Sequence, residues 1–253
     1  MFTAPRPWPI VDAAQELRLS TIGPPDRATQ PDPDTWIANL GRLPLLAQPG
    51  ERWLYNTGSS VLGVLVARAA GQPLAEVLRT RIFEPLGMRD TAFWTKDTER
   101  LATGYQPTPD GLVVWDEPDG LWSRPPDFPD GASGLVSTVD DLLAFARMLL
   151  AGGGGVLAAQ HARAMTTDQL TAHQKAHGGL GADFFRGRSW GFGQAVLASG
   201  AFGWDGGFGC SWLVDPNYDL AIIVLTQRFF ETSEAPKVHR DIQAAAYAAL
   251  AAP

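Results

Sequence analysis

The stretch PGERWLYNTGSSVLG, residues 49–63, decides how this chain is read. A Pro-Gly turn leads to Trp53, then Tyr55-Asn56-Thr57, and an apolar helix starts at once. Thr57 or Ser59 is placed to cap that helix. Val61, Leu62, Leu65 and Val66 form its predicted apolar face, and Gly71 ends it. A tyrosine fixed at a helix start is a candidate for proton transfer. Its pKa of about 10 must first be lowered, and a nearby cation is the usual means. Without a cation roughly 0.1% of the phenol is ionised at neutral pH. The ring then packs and donates one hydrogen bond, nothing more.

Upstream, residues 1–50 are rich in proline, and a short helix is predicted around residues 34–43. Trp8, Ile10, Trp36, Ile37 and Leu40 offer apolar groups to bury, which favours a leader packed over a larger fold rather than a loose tail. Downstream, Pro73 opens a second helix carrying Leu74, Val77, Leu78, Ile82 and Phe83, halted at Pro85-Leu86-Gly87. Residues 88–136 read as loops with short extended pieces at Tyr105 and Val113-Val114-Trp115. Ser137 is the predicted cap of a further helix, with Asp140 at its third position and glycines 152–155 as its stop. A weaker helix is expected at about residues 157–165.

The pattern changes after Arg186. SWGFGQAVL, GFGCSWLV and DLAIIVLTQ read as three strands, with Asp215-Pro216-Asn217 turning the last two into a hairpin. An Ala-rich helix over residues 237–250 closes the chain. The fold class is therefore α+β, one domain over residues 1–253. Residues 1–186 form a mainly helical lobe with loops, and 187–253 an antiparallel sheet with a covering C-terminal helix. AIIVL is apolar on both faces, so it is predicted as a central strand with a neighbour on each side. The segments available leave one sheet edge bare.

A net charge of −7 and a pI near 5.0 argue against nucleic acid as a partner. No apolar run reaches the roughly 20 residues of a spanning helix, and the first residues, MFTAPRPWPIVDAA, lack the apolar core of an export signal. Cys210 is the single cysteine, which excludes an internal disulfide and a cysteine-cluster metal site. His161, His173, His177 and His239 have no metal-ligand spacing with carboxylates. His173 and His177 are four apart but sit beside Gly178-Gly179, as at a frayed end. There is no Gly-x-Ser-x-Gly and no His-Glu-x-x-His. The expectation is a cytoplasmic monomer acting on a small molecule, with no membrane contact, cofactor or metal. Nine tryptophans fit a core of large rings or an aromatic-lined cleft.

The 49–63 stretch resembles the second catalytic motif of the serine β-lactamase and penicillin-binding-protein family, a Tyr-x-Asn motif in its esterase and class C branches. RIFEPLGMRDTAF (81–93), SGLVSTVDDLLAFARMLL (133–150), MTTDQL (165–170) and SWGFGQAV (189–196) look like framework segments of the same family. The resemblance covers about residues 45–253. It implies a β-lactamase/transpeptidase-like fold and hydrolysis of esters or amides through an acyl-enzyme. It implies proton transfer by Tyr55, with Asn56 and Thr57 beside it on the substrate. Trp204-Asp205-Gly206 would stand where the family has Lys/His-Thr/Ser-Gly along one wall, and the Gly207 N–H would serve the oxyanion.

The departures are specific. Thr57 occupies a position that is usually Asn. Trp204 replaces a cation or imidazole, and Asp205 a hydroxyl, so a clamp for a substrate carboxylate is lost and esters or amides without one are favoured. The family's nucleophile motif, Ser-x-x-Lys, does not occur. Three residues before Lys96, Lys175 and Lys237 stand Phe93, Ala172 and Glu234. The resemblance thus implies a fold truncated at its N-terminus, which would also explain the bare strand edge, and a chain inactive by itself. Two other readings stay open. One is a non-catalytic binding or scaffold protein on the same fold, and the other a hydrolase with its nucleophile relocated to Ser59, Ser60 or Ser211.

Overall fold

A computed structural model describes residues 9–19, 30–232 and 234–250. The leader is helical twice, at Pro9–Glu16 and Pro33–Leu40. The first helix was not expected from the sequence. The second is capped by Asp32, whose carboxylate accepts from the Asp34 and Thr35 N–H groups at 3.0 and 3.1 Å. Trp36, fully buried, stacks on Phe128 at 5.1 Å between ring centroids. With Ala14, Leu19 and Val64 they form one core cluster, so the leader is packed against the body of the fold. Ile10 is buried too, whereas Trp8 lies outside the described residues.

The Thr57–Ala70 helix ends on Gly71 in the left-handed conformation, as predicted. Its buried face differs from the predicted one. Leu62 and Leu65 are 54% and 59% exposed, while Thr57, Ser60, Gly63 and Val64 are buried. The reason is a close backbone approach. A Cβ on Gly63 would stand 2.9 Å from the Gly131 amide nitrogen, so the side carrying small residues faces inward. The next helix runs Leu74–Leu86 with a π turn at Arg79–Phe83 and stops at Gly87. The Val139–Leu150 helix is capped by Thr138 rather than Ser137. Asp141 sits at its third position, and its carboxylate accepts from the Asp90 N–H (2.8 Å) and the Thr91 hydroxyl (2.7 Å), tying the preceding loop to the helix start.

The sheet has five antiparallel strands in sequential order: β3 (Arg188–Trp190), β4 (Ala195–Leu197), β5 (Phe202–Gly206), β6 (Cys210–Asp215) and β7 (Leu220–Leu225). SWGFGQAVL is therefore a hairpin, not one strand, because Gly193 adopts positive φ between β3 and β4. Strand alternation sorts the two faces. Val196, Phe202 and Val214 pack on the 139–150 helix, and Ala201, Leu213, Ile222 and Val224 lie under the closing Lys237–Leu250 helix. β7 corrects the expectation of a central strand: among the described strands of this sheet it pairs only with β6. Its apolar character on both faces comes from the helix on each side, which covers faces, not edges. A smaller hairpin, β1 (Gly104–Thr108) and β2 (Gly111–Asp116), joins the segment after β7. The Tyr105 N–H donates to the Gln227 carbonyl at 2.7 Å, and the Phe229 N–H to the Tyr105 carbonyl at 2.9 Å.

Candidate active site

Tyr55 stands at a strained turn. Asn56 has φ 79° and ψ −73°, and the Thr57 N–H donates to the Tyr55 carbonyl at 3.2 Å across it. This is a γ-turn of the positive-φ kind, rare and costly for a residue with a Cβ. The Ser59 N–H donates to the Asn56 carbonyl at 2.9 Å, which starts the helix. The turn is thus closed on both sides, and Tyr55 leaves the helix axis instead of joining it.

The ring of Tyr55 meets Trp204 at 5.5 Å, Trp190 at 5.9 Å and Trp53 at 5.9 Å. Trp204 comes from β5 and Trp190 from β3, so the sheet supplies one wall and the 53–57 segment the other. A third element closes in. The Gly179 N–H donates to the Trp53 carbonyl at 2.9 Å, and the Gln174 side-chain amide to the Gly50 carbonyl at 2.8 Å. These bonds hold the 172–185 segment so that Phe184 and Phe185 reach Trp53 at 5.3 and 5.2 Å. Burial raises the Tyr55 pKa above its ordinary value of 10.0, and a hydrogen bond with Trp204 pulls the other way without overcoming it. The phenol is protonated at neutral pH.

Each lysine is engaged elsewhere. Lys96 lies over the Trp94 ring at 5.9 Å, Lys175 pairs with Asp168, and Lys237 with Asp241 at 2.5 Å. Asp168 is held below the ordinary carboxylate range. Burial pushes it up, but Lys175, Ser189 and the Leu170 N–H together outweigh that.

β5 separates the expected wall residues. Trp204 faces Tyr55. Asp205, one residue on, faces the closing helix, where its carboxylate lies 3.8 Å from Nδ1 of His239. Its cross-strand neighbour Ser211 is on the same side, touched by Gln243 of that helix. His239 is fully buried, and among the described residues neither ring nitrogen has a hydrogen-bond partner. Thr57 is also turned inward: it is buried, and its hydroxyl has no partner among the described residues.

Gly206 ends β5 and Gly207 follows in the turn to β6. The Gly207 carbonyl accepts from the Phe230 N–H at 2.9 Å. Gly207 is exposed, and a Cβ there would meet nothing within 4 Å. The structure brings Tyr55 and Trp204 together with Asn56 as the turn, places Gly206 and Gly207 further along the strand and its turn, and leaves Thr57 and Asp205 on other faces. Among the described residues no three His, Cys, Asp or Glu side chains gather as a metal site needs. No single helix among them is long and apolar enough to cross a membrane.

Sequence reasoning missed the ring cluster and His239. The tryptophan count hinted at the cluster, but rings from residues 53, 184, 190 and 204 meet only through tertiary structure. Nothing in the sequence marked His239.

A family model described as Beta-lactamase matches residues 15–247. Protein Rv1367c of Mycobacterium tuberculosis is 38% identical over 233 residues, covering 83% of this chain and 58% of its own length. Esterase EstB of Burkholderia gladioli is 33% identical over 234 residues, covering 81% and 57%. The chain thus spans little more than half the length of these curated relatives. Among solved structures, EstCE1, a hydrolase with promiscuous acyltransferase activity, superposes with a TM-score of 0.71 at 28% identity, over 85% of this chain and 61% of that one. The octameric penicillin-binding protein homologue from Pyrococcus abyssi gives 0.68 at 23% identity, over 94% and 51%, a likeness of fold.

Proposed function

Because the chain belongs to the β-lactamase family, we propose that its cleft is the wall of an acyl-transfer site for neutral esters or amides, of the serine-hydrolase kind. Tyr55 is the proton-transfer residue, the Gly207 N–H the oxyanion donor, and Trp204 with Gly206 the lining, while Asn56 sets the aim of Tyr55. The observation that carries this reading is the meeting of Tyr55, lifted on a strained turn, with Trp204, three residues before the exposed Gly207. Support for esters comes from the names of EstB, an esterase, and EstCE1, a hydrolase. Trp204, standing where the family has a cation or imidazole, agrees with a substrate that carries no carboxylate.

We further propose that these 253 residues do not turn substrate over by themselves. They contain no Ser-x-x-Lys, burial keeps the Tyr55 phenol protonated, and the lysines are committed to other partners. A phenol held that way has no means of activating a hydroxyl. The same facts favour, as a second reading, a binding protein on a hydrolase fold. The test is p-nitrophenyl acetate mixed with the purified chain and with Tyr55→Phe. Neither is expected to release a burst of p-nitrophenol. A burst in the parent chain that is lost in Tyr55→Phe overturns the proposal of inactivity.

A further inference from the structure

A cavity of about 340 Å³ opens in the 89–101 loop, beside the start of the Val139–Leu150 helix. That is the size of a small-molecule site. Its walls are fixed by bonds that need no ligand. Ala92 and Val136 exchange both backbone hydrogen bonds, at 3.2 and 2.8 Å, and the Thr95 N–H donates to the Trp122 carbonyl at 2.9 Å. Arg100 donates twice to the Asp90 carboxylate, at 2.8 and 3.1 Å, and lies 3.6 Å from that of Asp97. A cavity held open in this way costs a ligand little ordering.

The lining is of two kinds. Ala92, Trp94, Leu101 and Val136 are half-buried and make an apolar floor, while Arg89, Lys96, Arg100, Asp90 and Asp97 form an exposed rim. Both rim carboxylates are committed to Arg100. Arg89 and Lys96 have no carboxylate partner among the described residues. Lys96 lies over the Trp94 ring, a contact with a ring face that leaves ammonium N–H groups for an anion. Three cations against two carboxylates leave the rim with one positive charge, on a chain whose net charge is −7. One excess positive charge above an apolar floor matches a monoanion with an apolar body. Inorganic phosphate would make no use of the floor, and a neutral ligand none of the rim.

We propose that this cavity binds a small organic carboxylate, its apolar body on the Trp94 floor and its charged group held by Arg89 and Lys96. The site shares no residue with the Tyr55–Trp204 corner, and the proposal is independent of whether the chain turns over esters.

The test is a titration of the full chain with naphthoate, followed by the tryptophan indole N–H signals in NMR. Trp94→Phe removes one signal and so identifies it. The Trp94 signal is expected to shift to saturation. Naphthoate is expected to bind about tenfold more tightly than naphthylmethanol, more tightly than acetate, and less tightly as salt screens the rim. Arg89→Gln and Lys96→Gln each lose about threefold and the double variant about tenfold. Lys237→Gln removes the same charge from the closing helix, outside the cavity, and leaves affinity unchanged. These three side chains are exposed, so the variants keep the fold, as circular dichroism checks. Equal binding of naphthylmethanol or of acetate overturns the proposal. So does parent-like affinity in the folded double variant, an equal loss in Lys237→Gln, or a Trp94 signal that does not move.

Discussion

The turn at Asn56 stores strain that a pair of substitutions can read out. Its φ of 79° and ψ of −73° lie in a region where a residue with a Cβ costs about 1–3 kcal/mol. Asn56→Gly and Asn56→Ala both remove the amide side chain, so the difference between them isolates the backbone. Glycine relieves the strain and alanine keeps it. Against this, glycine gives up about 0.5–1 kcal/mol more in ordering an otherwise freer chain. The net expectation is Asn56→Gly more stable than Asn56→Ala by about 0.5–2 kcal/mol. For a chain of this size that is a difference of about 1–4 °C in Tm. Urea denaturation followed by circular dichroism measures it, with equal slopes in the two variants as the check that both expose the same surface on unfolding. An alanine variant as stable as the glycine variant refutes the γ-turn, and with it the account of how Tyr55 is aimed.

Two predictions concern protons. Tyr55 and Tyr247 both ionise above the ordinary 10.0, Tyr55 through burial and Tyr247, pushed up to about 12, through burial and then its hydrogen bond to Asp215. A folded pKa above the unfolded one gives stability that is present below about pH 10 and lost as pH rises through the folded value. In an alkaline absorbance titration Tyr247→Phe should remove a late step, and Tyr55→Phe another. An unchanged titration curve in either variant contradicts the burial. Asp130 is buried, and that burial raises its carboxyl above 3.8 although the Ala132 N–H opposes it at 2.9 Å. Stability from its protonated form is therefore present at low pH and lost as pH rises through the folded value. Asp130→Asn should match the parent in Tm near about pH 4 and exceed it increasingly toward neutrality. A constant offset across that range contradicts the raised pKa.

Local sequence signals carried most of the element order. Gly71 and Gly87 end their helices in the left-handed conformation as read, and Asp215-Pro216-Asn217 turns β6 into β7. These are decisions made within a few residues by φ preferences and side-chain caps. Where partners at a distance decide, the sequence was mute or misleading. Leu62 and Leu65 look like a core face by hydrophobicity alone, yet the close approach of Gly131 to Gly63 selects the opposite side. β7 looked central because hydrophobicity reports covered faces, and two helices cover them at an edge as well as neighbouring strands would suggest.

The same distinction between local and distant explains the site. Tyr55-Asn56-Thr57 was legible as a unit, and its neighbour Trp204 as a wall, but a linear motif cannot say which side of a strand each residue faces. Trp204-Asp205-Gly206 looked like one wall. Strand alternation instead sends the indole to Tyr55 and the carboxylate to His239. The consequence is electrostatic. With Asp205 on the far face, the rings that meet Tyr55 are neutral, and the carboxylate is turned away from them. A polar or anionic residue facing inward at position 204 would lose both that neutrality and the ring contact with Tyr55. On the proposed acyl-transfer reading, an aromatic side chain at this strand position is what lines the site for a neutral ester or amide.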